Sequence, residues 1–166
     1  MALIVPDVDE AIASFRRIMD WDSRTMIYER DHEDVDRESG AVSRSHVAML
    51  PIGDCWLELI EPLSEGPLRK FLERTGGGIH HVGFMSDDIQ SEWDRHARSR
   101  DDVGLIGREP LVNDRGVSFW FLHPRNNAGA LVEIDSDWRR TSASDMTPIE
   151  PTPDWSGLPA DRQPSG

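Results

Sequence analysis

The stretch "GGGIHHVGFMSDDIQ", residues 76–90, places two adjacent histidines at the head of a short apolar run, followed by an acidic turn and the start of a helical pattern. A strand alternates its side chains between two faces, so His80 and His81 are expected to point in opposite directions. The same order of events opens the chain. "MALIVPDVDEA", residues 1–11, is an apolar strand ended by Pro6 and Asp7. Behind Asp7, a natural N-cap, Ala11, Ile12, Phe15, Ile18 and Met19 fall at helical spacing. An offset of 81 positions lays Ala2-Leu3-Ile4 on Gly83-Phe84-Met85, Asp7 on Asp88 and Val8 on Ile89.

The rest of each half follows suit. Residues 24–28 and 46–51 read as strands around an acidic, polar loop, 29–45. A Gly53-Asp54 turn precedes the strand "CWLELIEP", and "GPLRKFLERTGGG" is a helix with a glycine stop. In the second half, "VGLIGREP", "GVSFWFLHP" and "GALVEIDS" read as three further strands. "MLPIGDCWLELI" meets "FLHPRNNAGALVEI" once small indels are allowed, which brings Glu58 onto Glu133. A period near 80 residues is too long for a solenoid and indicates duplicated lobes, each βαβββ. The folded body is expected over residues 1–138, with lobes at about 1–75 and 76–138. A Pro-, Ser- and Asp-rich tail, 139–166, is expected to be disordered or to pack only through Met146, Ile149, Trp155 and Leu158.

At 166 residues the length suits one domain. A net charge of -13 argues against nucleic acid and anionic membranes as partners. The single cysteine, Cys55, excludes a disulfide framework and suits a reducing cytoplasm. No apolar stretch reaches the roughly 20 residues of a membrane span. A soluble, cytoplasmic protein is expected.

Glu58 and Glu133 each sit in a strand among apolar neighbours, and burying an unpaired carboxylate costs several kcal/mol. Two readings stand. Both glutamates face solvent from half-exposed strands, or both meet a cation. The repeat favours the second reading, because the two positions are equivalent and a histidine opens the second lobe. His, Glu and Glu on one sheet would suit a divalent ion: Zn²⁺, Mn²⁺, Co²⁺, Ni²⁺ or Fe²⁺. For His81 alone, a satisfied core or surface histidine is the plainer alternative.

"ALIVPDVDEAIASF", "LPIGDCWLELIEPL", "GGGIHHVGFMSDDI" and "FLHPRNNAGALVEI" resemble the vicinal oxygen chelate (glyoxalase/bleomycin resistance/dioxygenase) superfamily, most of all the methylmalonyl-CoA epimerases, with glyoxalase I next. The resemblance runs from residue 1 to about 136. It implies an α+β fold of two βαβββ lobes forming a cupped mixed sheet, usually a homodimer, with one divalent metal ion in the cup. It places Glu58, His81 and Glu133 on three ligand positions, and leaves His80 facing away against a helix.

The implied reaction is proton transfer alpha to a carbonyl, on a branched acyl-CoA such as methylmalonyl-CoA. Glu133 would serve as one acid-base group as well as a ligand. His46 stands where one epimerase branch carries a catalytic glutamate, so it is the candidate for the other; a strand-edge histidine in solvent is the alternative. Exposed arginines and lysines could hold the CoA phosphates, but none is singled out. Two rival classes remain open. One is a glyoxalase-like lyase, favoured by the acidic loop and by tryptophans such as Trp120, expected to line the cup. The other is a metal-free small-molecule-binding protein. The family's first ligand, a histidine opening the first strand, has no counterpart here. With the offset of 81, His81 maps to the position before Met1. A start placed one or more codons late is one expectation and true loss the other; in both, the strand at 2–5 is expected to fray.

Overall fold

Each half of the chain folds as the repeat requires. The computed structural model describes residues 1–19, 21, 27–35, 40–53, 55–113, 116–136 and 147–148. Lobe one runs β1 (Ala2–Ile4), α1 (Val8–Met19), β2 (Tyr28–Val35), β3 (Val42–Ile52) and β4 (Cys55–Pro62). The connecting helix α2 (Pro67–Thr75) leads into lobe two: β5 (Gly78–Ser86), α3 (Ile89–Ala97), the short α4 (Arg100–Val103), β6 (Leu111–Val112), β7 (Ser118–Leu122) and β8 (Val132–Ser136). The strands form one mixed sheet in the order β6-β7-β8-β5-β1-β4-β3-β2, and β9 (Thr147–Pro148) adds to the β2 edge. In each lobe the first strand is parallel to the last, and β1 pairs antiparallel with β5 at the centre.

The repeat extends to the helix caps. Asp7 Oδ1 accepts from the Glu10 amide at 2.8 Å, and one repeat later Asp88 Oδ1 accepts from Ser91 at 3.0 Å. Helix α2 stops at Gly76, in the left-handed conformation. At Gly77 (φ 103°) an added Cβ would lie 2.7 Å from the Ile4 carbonyl oxygen. Only glycine therefore lets the chain leave α2 and run back along β1.

Alternation then sorts the strand residues. The helix-covered face carries Ala48, Leu50, Leu57 and Leu59 under Val8 and Ile12 of α1, and Trp120 and Leu122 under Trp93 of α3. The concave face carries Val47 and Ile60, closed at one end by Leu72 of α2. Trp120 is therefore in the core beneath α3, and Phe119 and Phe121 take the cup-facing positions expected for it.

Three further differences have local causes. The polar stretch expected as a loop over 29–45 is largely strand, because β2 and β3 pair continuously from Tyr28↔Met49 to Val35↔Val42. That ladder supplies the backbone hydrogen bonds that the polar composition hides. The strand expected in "VGLIGREP" is displaced: Gly104 caps α4, Leu105 makes one bridge to Leu122, and pairing begins only at Leu111. The first strand has its edges held by β4 and β5, and Ala2 and Ile4 are fully buried, which is the opposite of the expected fraying. The expectations for 24–26 and, apart from Thr147–Pro148, for the tail 139–166 lie outside the described residues.

Candidate active site

Glu58 and Glu133 reach the concave face by the same register. Ala2 stands opposite Glu58 across the β1–β4 pair, and Gly83, its repeat mate, stands opposite Glu133 across β5–β8. Between them, His81 pairs with Ala2 across the central seam. Its imidazole is buried, with Nε2 2.8 Å from Glu133 Oε2 and 3.6 Å from Glu58 Oε2. His81 thus has a carboxylate from each lobe within 4 Å of its Nε2.

The simple alternation expected at His80 and His81 does not hold. Ala2 pairs with His81 while Leu3 pairs with Ile79, so β5 carries one residue too many, His80, and forms a bulge. A bulge re-aims side chains. His80 does pack on a helix, edge-on to Phe71 of α2, but its Nδ1 also lies 3.0 Å from Nδ1 of His81.

These contacts set the charges. Burial pulls the His81 imidazolium down, but its hydrogen bonds to Glu133 and Glu58 and their charges outweigh that, holding it up at about 10. Burial and the neighbouring His81 charge push His80 down to about 4. Burial would raise Glu58, yet His81, with Arg30 assisting, keeps it below the usual carboxylate range. At neutral pH the centre is an imidazolium between two carboxylates, beside a neutral imidazole.

A cavity of about 650 Å³ opens over this centre. Its lobe-one wall carries Arg30, His32 and Ser45, and Asp135 joins Glu133 on the lobe-two wall. Both carboxylates stand over Gly83, each with an oxygen 3.8 Å from where a Cβ would be. Sequence reading missed Asp135, although two-residue spacing from Glu133 on one strand was the available signal. His46 is not brought to the cavity. Val47 and Met49 face inward, so His46 points to the α1 side, with Nδ1 2.8 Å from Asp31 and Nε2 3.8 Å from Glu29.

Among the described residues no three His, Cys, Asp or Glu side chains already surround a common point. The reason is local: Nε2 of His81 bonds Glu133 directly. The donor chemistry nonetheless fits a divalent ion. One imidazole nitrogen and two carboxylates make a mixed hard and borderline set, and neighbouring ligands of a first-row ion sit roughly 3 Å apart. An ion and a proton would compete for the same negative pocket.

The family model for the glyoxalase/bleomycin resistance protein/dioxygenase superfamily matches residues 1–129. The chain belongs to that superfamily. Within the superfamily it is 32% identical over 137 residues to the ethylmalonyl-CoA/methylmalonyl-CoA epimerase of Cereibacter sphaeroides, covering 81% of this chain and 93% of that one. Among solved structures, a hypothetical protein from Bacillus halodurans superposes with a TM-score of 0.62 at 28% identity, over 82% of this chain and 90% of its own. A variant of the Streptomyces coelicolor methylmalonyl-CoA epimerase in complex with 2-nitronate-propionyl-CoA gives 0.58 at 25% identity, over 81% and 90%. The cupped sheet of this superfamily member is thus the sheet of solved epimerases.

Proposed function

We propose that this protein is a metal-dependent epimerase that moves a proton alpha to the carbonyl of a branched acyl-CoA such as methylmalonyl-CoA. The observation that carries the reading is the meeting of His81 with Glu133 and Glu58 on the floor of a cavity, in a chain similar along most of its length to an epimerase. Glu58, His81 and Glu133 would hold one divalent ion of the Mn, Co, Ni, Zn or Fe type. When bound, the ion supplies Lewis-acid stabilisation of negative charge developing on a carbonyl oxygen.

The chain's own residues do the rest. Glu133, at the cavity wall, removes the alpha proton. Returning it from the other face needs a group on lobe one. His32 offers an imidazole on that wall, for the role in which the resemblance made His46 a candidate. Arg30, whose charge already acts on Glu58, offers a counter-charge to the free carboxylate of a malonyl-type acyl group. Apolar Phe119 and Phe121 limit water around the reacting carbon.

A homodimer and a cytoplasmic setting belong to the same reading. Phe84, Met85, Leu111 and Val112 leave apolar surface exposed on lobe two, and among the described residues no helix is long and apolar enough to cross a membrane. Wash-in of deuterium at the alpha carbon of methylmalonyl-CoA in D₂O tests the reaction. Gain of exchange on adding Mn²⁺ or Co²⁺ to chelated protein supports it. Absence of exchange with acyl-CoA esters, whatever the ion, removes it.

A further inference from the structure

The bulge in β5 has a use beyond shaping the sheet. We infer that His80 is a positioning residue: its Nδ1 accepts the proton on His81 Nδ1 and thereby aims the unprotonated Nε2 of His81 at the metal. This rests on the proposed metal role of His81. The extra residue in β5 puts both imidazoles at one register position opposite Ala2. Without it the rings would lie on opposite faces of the sheet and could not touch. As it is, the two Nδ1 atoms are 3.0 Å apart, a hydrogen-bond distance that requires one to donate and the other to accept.

The direction of that bond follows from the other end of His81. Its Nε2 faces Glu133 and Glu58, the two carboxylates of the donor set. A histidine that ligates through Nε2 carries its proton on Nδ1, and the partner of Nδ1 fixes ring and tautomer together. Here the partner is a neighbouring imidazole, where a carboxylate or backbone carbonyl is the usual choice. A neutral acceptor adds no third negative charge beside Glu58 and Glu133. Both rings are held from outside: His80 meets Phe71 of α2 edge-on at 5.2 Å, and His81 meets Phe121 of β7 at 5.9 Å. Helix α2 therefore sets the angle of His81 through His80.

Two substitutions separate this role from simple packing. His80→Phe keeps an aromatic ring against Phe71 and removes the acceptor. His80→Asn loses the ring but keeps an acceptor near the position of Nδ1. Titration of chelated protein with Mn²⁺ should show the Kd rising about 10- to 100-fold in His80→Phe. In His80→Asn it should stay within about threefold of wild type. A second arm needs no metal. Long-range ¹H–¹⁵N spectra of the metal-free protein should show a slowly exchanging His81 Nδ1–H in wild type and His80→Asn, and none in His80→Phe. Wild-type Mn²⁺ affinity together with an unchanged His81 ring proton in His80→Phe would overturn the inference. Should wild type bind no Mn²⁺, the metal reading falls and with it the aiming of Nε2 at an ion. The spectra then decide the hydrogen bond alone: loss of the signal in His80→Phe supports His80 as the acceptor that orients the His81 ring, and its retention overturns that.

Discussion

Glu58 and Glu133 occupy equivalent registers in the two lobes, one opposite Ala2 and the other opposite Gly83, and both turn toward His81. Duplicating a single βαβββ unit thus brings two carboxylates to one face of the central strand pair. It also brings their mutual repulsion. One imidazolium between them offsets that cost in the absence of metal.

Removing that imidazole should therefore be more damaging than its size suggests. His81→Leu leaves two partly buried carboxylates without their cation, a change worth about 3–5 kcal/mol. Urea unfolding of metal-free protein measures it. Adding Glu58→Gln and Glu133→Gln in the same chain should recover most of the loss. A His81→Leu cost below about 1 kcal/mol would mean that the three groups are not coupled.

The same centre gives metal-free protein a stability optimum near pH 6.5. His81 is held at about 10 against an ordinary value of 6.5, so its contribution is complete below pH 6.5 and is lost as pH rises toward 10. His80 is held at about 4 and behaves in the opposite sense: folding favours its neutral form, so stability is lost as pH falls from 6.5 toward 4. Thermal unfolding in the presence of a chelator should show Tm declining on both sides of neutrality. An unchanged Tm from pH 6.5 to 9 would contradict the His81 assignment.

His46→Ala should leave turnover within about threefold of wild type, because its ring pairs with Asp31 on the α1 face and not with anything in the cavity. His32→Ala, by contrast, should slow exchange by the 10²- to 10⁴-fold typical of a lost acid-base group. Parallel steady-state rates decide between the two histidines. A large loss in His46→Ala with a normal His32→Ala would reverse the assignment.

Trp120→Ala should cost about 3–5 kcal/mol of stability, since the indole is buried against Trp93 and His96 under α3. The fraction that remains folded should keep its KM, because Trp120 does not line the cavity. A raised KM without loss of stability would put the indole back in the cup.

Much of this architecture was legible in the sequence, and the reasons are specific. The cap residues Asp7 and Asp88 and the glycine stop at Gly76 are local signals that tertiary structure did not need to override. The Glu58–Glu133 equivalence was visible because a repeat reports register. His46 was a candidate by resemblance alone: β3 is apolar on both faces, Val47 and Met49 inward and Ala48 and Leu50 outward, so alternation gave no direction for its side chain. Trp120 failed for the same reason, lying between two phenylalanines. The bulge at His80 arises from pairing between strands almost eighty residues apart, which no local pattern encodes. The long β2–β3 ladder was hidden by charge, since between Tyr28 and Val35 strand β2 reads Glu-Arg-Asp-His-Glu-Asp, with no apolar residue to show an alternation.

The central claim is that Glu133, beside His81 and Glu58, moves a proton alpha to a carbonyl with the help of a divalent ion. Deuterium incorporation into methylmalonyl-CoA, followed by mass spectrometry in D₂O, tests it most directly. The expected result is rapid wash-in by wild type with Mn²⁺ or Co²⁺, little after chelation, and a loss of at least about 100-fold in Glu133→Gln even though that variant folds. Equal wash-in by wild type and Glu133→Gln, or none by wild type with any ion, would contradict it.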